Sequence, residues 1–275
     1  MASVAAGAGL GPARPRLALL RASVRAQLVY RLSFALLTAS SALAAFMDFL
    51  MLGAIFSHLP RLGGWSLPEV ALLYGIAGVA FGVTDLCVGT LDSLPQIIRD
   101  GSFDVVLVRP VGTLYQVLAR EFGMRRVGKV AQGGGVLAYA LAHLHVAWTA
   151  PKLAMLATAL VTAPLIFGSV WVIAIAHVFW TVETGEVANA FAYGGCFIAS
   201  YPINLFAGWV RDLLAFVIPM AFVSYYPALV ILGRPDPIGL PPFTPLLTPA
   251  VAAALVALAV GVWRTGVRHY RGTGS

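Results

Sequence analysis

Apolar positions in this chain come in long blocks, neither alternating as in a half-buried strand nor confined to the narrow stripe of a soluble helix. A membrane helix needs about 20 mostly apolar residues, and six blocks reach that length, at roughly 33–56, 68–89, 127–147, 153–178, 186–206 and 244–263. A seventh apolar stretch, about 208–232, opens on Arg211-Asp212 and contains Pro219 and Pro227, so it predicts no crossing. Proline-broken backbone survives in a bilayer only where protein or a watery cavity satisfies the freed polar groups. A re-entrant helical hairpin on the outer side meets that condition and would put Trp209, Tyr225 and Tyr226 at the membrane interface.

The polar positions concentrate between the second and third blocks, where residues 92–110 read DSLPQIIRDGSFDVVLVRP. A helix that merely anchors a protein in lipid has no need of such a charged knob, which suggests a surface on which something in the cytosol pushes. Further along, Leu114, Val117, Leu118 and Phe122 recur at helical spacing opposite Gln116, Arg120, Glu121 and Arg125, predicting an amphipathic interfacial helix. Near the N-terminus, Leu17, Leu20, Val24 and Leu28 form a stripe flanked by Arg14, Arg21 and Arg25. That pattern fits a helix lying at the headgroups or a cytosolic extension of the first span. The first dozen residues, rich in Ala and Gly, predict no ordered structure. The domain reading is a cytosolic N-terminal segment over 1–32 and a six-helix membrane domain over 33–275. The fold class is all-α.

Composition strengthens this reading. The chain is 60% hydrophobic and 11% charged, with a mean hydropathy of +0.87, values a soluble domain does not reach. Its net charge of +7 could point to nucleic acid, but the basic residues are sorted by position. Of 18 Lys and Arg, 14 precede the first block, follow the last, or lie between the second and third; Arg61, Lys152, Arg211 and Arg234 fall on the other side. By the positive-inside rule both termini face the cytosol, and no nucleic-acid partner is expected. The two cysteines, Cys87 and Cys196, lie within spans and predict no structural disulfide.

Candidate chemistry is sparse. Asp48 and Asp85 are acids within the first two spans, each costing on the order of 3 kcal/mol if it faced lipid. They fit either a translocation path or proton relay, or a hydrogen-bonded contact between helices; as a relay partner only His177 offers itself. Gly75, Gly78 and Gly82 mark one side of the second span, and the Gly78/Gly82 spacing permits close helix approach, including between two chains. Residues 123–130, GMRRVGKV, come within one position of a phosphate-binding loop. Val130 replaces the required hydroxyl and no strand precedes, so the match is read as chance and no ATP site is expected on this chain. Glu183 and Glu186, one turn apart, lack a nucleophile or metal-ligand set, and His143 and His145 would splay apart on a helix. No catalytic residue and no metal site are predicted.

The segment after the second block carries a resemblance. Leu94-Pro95, Ile98, Gly101, Phe103-Asp104, Leu107 and Arg109-Pro110 look like the cytosolic segment of six-span bacterial permeases, the membrane subunits of type-2 ATP-binding-cassette (ABC) exporters. The block FVSYYP at 222–227 and the ending YRGTGS at 270–275 are similar to that family too. The resemblance implies a cytosolic ABC ATPase dimer that binds ATP and Mg and docks on a coupling helix around residues 95–101 and on the N-terminal helix. It also implies a second permease chain, the same or similar, and residence in the bacterial cytoplasmic membrane. Asp92, Pro95, Arg99, Asp100, Gly101, Phe103, Asp104 and Arg109 are the coupling candidates. The expected function is outward, ATP-driven transport of an amphipathic compound, lipid-linked glycan or drug; the alternative is a proton-coupled secondary transporter using Asp48 and Asp85.

Overall fold

The computed structural model describes residues 31–119, 126–181, 186–236 and 239–270. The expected N-terminal interfacial helix therefore lies outside the described residues, as do Arg120, Glu121, Phe122 and Arg125 of the second amphipathic helix. Among the described residues the chain is helical, its only β pairing an isolated bridge between Leu62 and Trp65. Helix α1 is Arg31–His58 and α2 is Leu67–Val88. Three short helices follow: α3 (Leu94–Arg99), α4 (Phe103–Leu107) and α5 (Thr113–Leu118). Helix α6 (Val127–His143) leads to α7 (Ala150–Ala176), the one-turn α8 (Val178–Thr181) and α9 (Glu186–Ala199). The last third holds α10 (Gly208–Asp212), α11 (Tyr225–Leu232) and α12 (Thr248–His269).

Helix α2 starts where Ser66 and Glu69 form a capping box, the Ser66 N–H donating to Glu69 Oε2 at 2.7 Å, with Pro68 in the first turn where its missing N–H is harmless. Along its length α2 lies close against α6. A Cβ on Gly75 would stand 2.6 Å from Leu137 Cα, and one on Gly82 would stand 2.8 Å from the Val130 nitrogen. Gly78 meets Gly133 of α6. The glycine face is thus used inside the chain, not between two copies. Gly75→Leu should lower stability by about 1–3 kcal/mol, because backbone rather than a flexible side chain blocks the added atoms. Denaturant titration of the detergent-solubilised chain reads it, and an unchanged midpoint would show that the two helices part freely.

The core centres on α2 and α7. In the most apolar stretch of each, 67% of residues are buried, against 22% for the helix through α12. Phe81 of α2 stacks on Trp171 of α7 with an interplanar angle of 7°, and meets Phe167 edge-on. Thr84 Oγ1 donates to the Pro164 carbonyl, tying the same two helices at the α7 proline.

Among the described residues, three helices are long and apolar enough to cross a membrane: Leu67–Arg99, Ala150–Thr181 and Thr244–His269. The expected third and fifth spans are shorter than the apolar blocks that predicted them. Helix α6 has 17 residues, and α9 has 14, stopping at Ala199 before Tyr201-Pro202. A residue ahead of proline is pushed out of the helical region, which ends α9 there although apolar residues continue. The proline-rich stretch forms two pieces, Gly208–Val217 and Met220–Leu232, bent by 75° at Ile218-Pro219. Pro227 falls in the first turn of α11, where no intrahelical N–H bond is due.

One expectation about this stretch is corrected. Trp209 is exposed, but Tyr225 and Tyr226 are buried, because α11 packs inward on α7 and α2 and carries both rings with it. Tyr225 lies against Trp65, with ring centroids 5.9 Å apart.

Candidate functional site

The charged insertion folds into an elbow. From the end of α2 the chain runs through a 3-10 turn, Gly89–Ser93, into α3, and reverses at Gly101, whose φ of +67° is readily available only to glycine. Helix α4 follows at once, and Gln116 of α5 then closes the loop, its side-chain amide donating to the carbonyls of Val106 (3.0 Å) and Val111 (2.6 Å). This turn chemistry explains why a stretch rich in Asp, Arg and Pro is nonetheless well shaped.

One face of the elbow is bolted to the bundle. Leu94, Pro95, Ile97, Ile98, Phe103 and Val106 are buried. The Phe103 ring sits 5.3 Å from Phe179 and 4.9 Å from Tyr270, both edge-on, and Phe179 in turn meets Trp263 of α12 at 5.1 Å. Trp263 Nε1 donates to Thr113 Oγ1 at 3.0 Å. The Tyr270 hydroxyl lies near the Asp104 carboxylate without full hydrogen-bond geometry; burial first, and that carboxylate second, raise its phenol above the usual value. The elbow is thereby joined to both α8 and α12.

The other face is open. Asp92, Arg99, Asp100, Asp104 and Arg109 are exposed, and among the charges of α4 and the turn after it stand Val105, Leu107, Val108 and Val111, with Val108 82% exposed. Of the coupling candidates, Pro95 and Phe103 face inward, Gly101 makes the reversal, and the five charged residues are at the surface. The exposed apolar residues lie after Gly101, beyond the segment 95–101 expected to dock. Asp92 is exposed as a residue, yet its Oδ1 accepts a hydrogen bond from Trp171 Nε1 at 3.1 Å. It is tied to the bundle.

Asp85 lies directly before the elbow, buried to 1% exposure. Its two oxygens are taken by two cations: Arg126 Nη1 at 3.2 Å from Oδ1 and Lys129 Nζ at 2.9 Å from Oδ2. Arg126 also donates to the Asp85 carbonyl (2.8 Å), which accepts the Gly89 N–H as well, and to the Gly89 carbonyl (3.3 Å), so it braces the C-terminal end of α2. The Lys129 ammonium stands over the rings of Phe81 (5.0 Å) and Tyr193 (5.1 Å). Sequence reasoning missed both partners by counting Arg126 and Lys129 as orienting charges beside a loop. The available signal was their spacing of three at the start of the third block, on the same membrane side as an acid near the end of the second.

The other candidates are not brought into this cluster. Asp48 belongs to α1, but its side chain lies outside the described ones. His177, the partner proposed for a relay, instead has its Nδ1 against the Ala174 carbonyl. His143 Nδ1 bonds the Tyr139 carbonyl at 2.8 Å, one turn back on its own helix. Glu186 is exposed at the start of α9, and Glu183 lies outside the described residues. Lys129 of the near-match to a phosphate loop belongs to a helix and is engaged by Asp85, so its ammonium serves an ion pair.

At the opposite end of α2 a second polar cluster closes the bundle. Arg234, just beyond α11, pairs with Glu69 at 2.7 Å, lies 4.7 Å from the Trp65 ring, and donates to the Gly64 carbonyl. Trp65 Nε1 donates to Asn204 Oδ1 at 3.1 Å, and Asn204 donates to the Gly63 carbonyl at 3.1 Å. The loop before α2 is so tied to both ends of the bent stretch.

Neither a curated protein nor a solved structure matches the chain. A family model described as "ABC-2 family transporter protein" matches residues 42–274, a stretch containing the elbow, the Asp85 cluster and all three long apolar helices. With most of its length inside that match, the chain is a multi-pass membrane protein of the ABC-2 transporter family.

Proposed function

We propose that the chain is the permease subunit of an ATP-driven exporter, which lines the translocation path and receives its push from a separate cytosolic ATPase dimer through the elbow. The observation that carries this is the elbow's division into two faces. Its inner face is locked by Phe103 to Phe179 and Tyr270, while its outer face offers Val105, Leu107, Val108 and Val111 among Asp104, Arg109, Arg99 and Asp100. A rigid body transmits displacement only if it is fastened at the output end and free at the input end, and this arrangement meets both conditions. A mixed apolar and charged surface is also the composition of a protein contact, whereas a merely solvated loop has no reason to expose four aliphatic residues together.

In this reading ATP and Mg are bound by the partner, and this chain carries no nucleotide site of its own. The bundle has six crossings, with both termini and the elbow on the cytosolic side of a bacterial cell membrane, and residues 1–32 form a cytosolic segment with an interfacial helix. The bent stretch after α9 is an outer lid, latched by Arg234 on Glu69. A second permease chain, the same or similar, covers the apolar and largely exposed α12. The cargo is amphipathic.

Coexpression with the ABC ATPase and affinity capture of the permease test this. Val108→Asp, which puts a charge at the most exposed aliphatic position of the elbow, should cut ATPase capture by about tenfold or more, since apolar anchors at a contact carry most of its energy. The double replacement of Arg99 and Asp104 by Ala should weaken capture or uncouple hydrolysis while leaving the permease inserted. Full capture and full transport in both variants, or transport by this chain driven by a proton gradient with no ATPase present, would sink the reading.

A further inference from the structure

We propose that the aromatic cage around the Lys129 ammonium is a binding site for an organic cation, with Lys129 as its resident and displaceable occupant. The cage is built by four elements. Helix α2 supplies Phe81 and Asp85, α6 supplies Lys129 itself with Arg126 at its N-cap, α7 supplies Trp171, and α9 supplies Tyr193. Two rings, Phe81 and Tyr193, face one cationic position beside a buried carboxylate, and Trp171 backs them, stacked on Phe81 and edge-on to Tyr193 at 6.1 Å. Ring faces and a desolvated carboxylate are the groups that select a soft, weakly hydrated cation.

The two cations on Asp85 are not held equally. Arg126 is fastened by one carboxylate oxygen and two backbone carbonyls, and a Cβ on Gly89 would collide with its guanidinium, so its place is shaped for it. Lys129 holds a single carboxylate oxygen and two ring faces. Its side chain is 29% exposed, and Tyr193 is 46% exposed, so both the occupant and one wall of the cage reach the surface. A compact ammonium on a flexible four-carbon stem can swing out without moving the backbone.

Charge counting then defines the ligand. Asp85 and the nearby Asp92, held on Trp171 Nε1 at 3.1 Å, balance Arg126 and Lys129. With Lys129 turned out, Asp85 and the electrostatically coupled Asp92 outnumber Arg126 by one negative charge, so the vacated cage suits a single positive charge on an apolar, aromatic-compatible body. Placed against the elbow, such a site would let the cation replace an internal ion pair at the point where the push enters. That assignment as cargo rests on the permease reading above; the site itself does not.

The test uses the full chain in lipid nanodiscs, without ATPase, and equilibrium dialysis of 1-methylquinolinium and of 1-methyl-2-quinolone, a neutral molecule of similar outline. Lys129→Gln should raise affinity for the cation by about tenfold, by removing its competitor, and leave the neutral molecule unchanged. Adding Tyr193→Leu, which removes one wall, should abolish the gain. In the unaltered chain, saturating 1-methylquinolinium should speed acetylation of Lys129 by acetic anhydride severalfold, read by peptide mass spectrometry, a measurement that needs no variant to fold. A gain below about threefold, an equal gain for the quinolone, a gain surviving Tyr193→Leu, or unchanged Lys129 acetylation overturns the proposal. None of these outcomes alters ATPase capture through the elbow, so the two readings fail separately.

Discussion

Asp85→Ala should lower the stability of the folded chain by about 3–5 kcal/mol, because it takes the shared counter-ion from two partly buried cations. The loss comes less from the attraction removed than from the charges left behind. Lys129 can turn outward, but Arg126 is held against the Asp85 and Gly89 carbonyls and keeps an uncompensated positive charge beside α2. Adding Arg126→Leu and Lys129→Met to Asp85→Ala should therefore restore much of the stability, since apolar replacements of an entire buried ionic group are often tolerated. Chemical denaturation of the purified chain in detergent measures both steps. A single variant as stable as the parent would mean that water already reaches the cluster.

Phe103→Ala should cost about 3–5 kcal/mol as well, for a different reason: a fully buried ring is removed from the junction of α4, α8 and the end of α12. Its functional effect should be separable from that of Val108→Asp. If the elbow couples to an ATPase as proposed, its outer face remains and the ATPase should still be captured, but the elbow's fastened end is loosened and transport per ATP hydrolysed should fall. Phe103→Leu, which keeps much of the volume, should recover most of the stability and part of the coupling. Wild-type coupling in a Phe103→Ala protein that has measurably lost stability would show that the push reaches the bundle by another route.

The sequence located the long helices well where apolar composition and helix coincide. Helices α2, α7 and α12 begin and end within a few residues of the blocks that predicted them, apart from their polar extensions. It overestimated α6 and α9, because residues 144–147 and 200–206 are still mostly apolar after the helix has stopped. Hydropathy measures preference for lipid or protein interior, and a turn packed against neighbouring helices satisfies it as well as a helix does. Tyr225 and Tyr226 were misplaced for the same reason: an aromatic pair beside proline reads alike whether it meets headgroups or a core.

The elbow was legible as a motif but not as an object with two sides. The pattern from Leu94 to Pro110 marks where the charges interrupt the apolar run, and Gly101 marks the reversal. Which side chains turn inward depends on Phe179, Trp263 and Tyr270, contributed from far along the chain. The glycines of α2 announced a close approach, yet their partners Val130, Gly133 and Leu137 could be known only once α6 was in place.

By itself the sequence determined residence in the membrane, the all-helical class and the position of the polar elbow, since each follows from short-range runs of apolar and charged residues. The tertiary structure alone decided that Asp85 meets Arg126 and Lys129 rather than His177, that the glycine face is filled from within, and that the elbow is fastened on one side. These are contacts between residues dozens of positions apart, and no local pattern records which block ends meet in space.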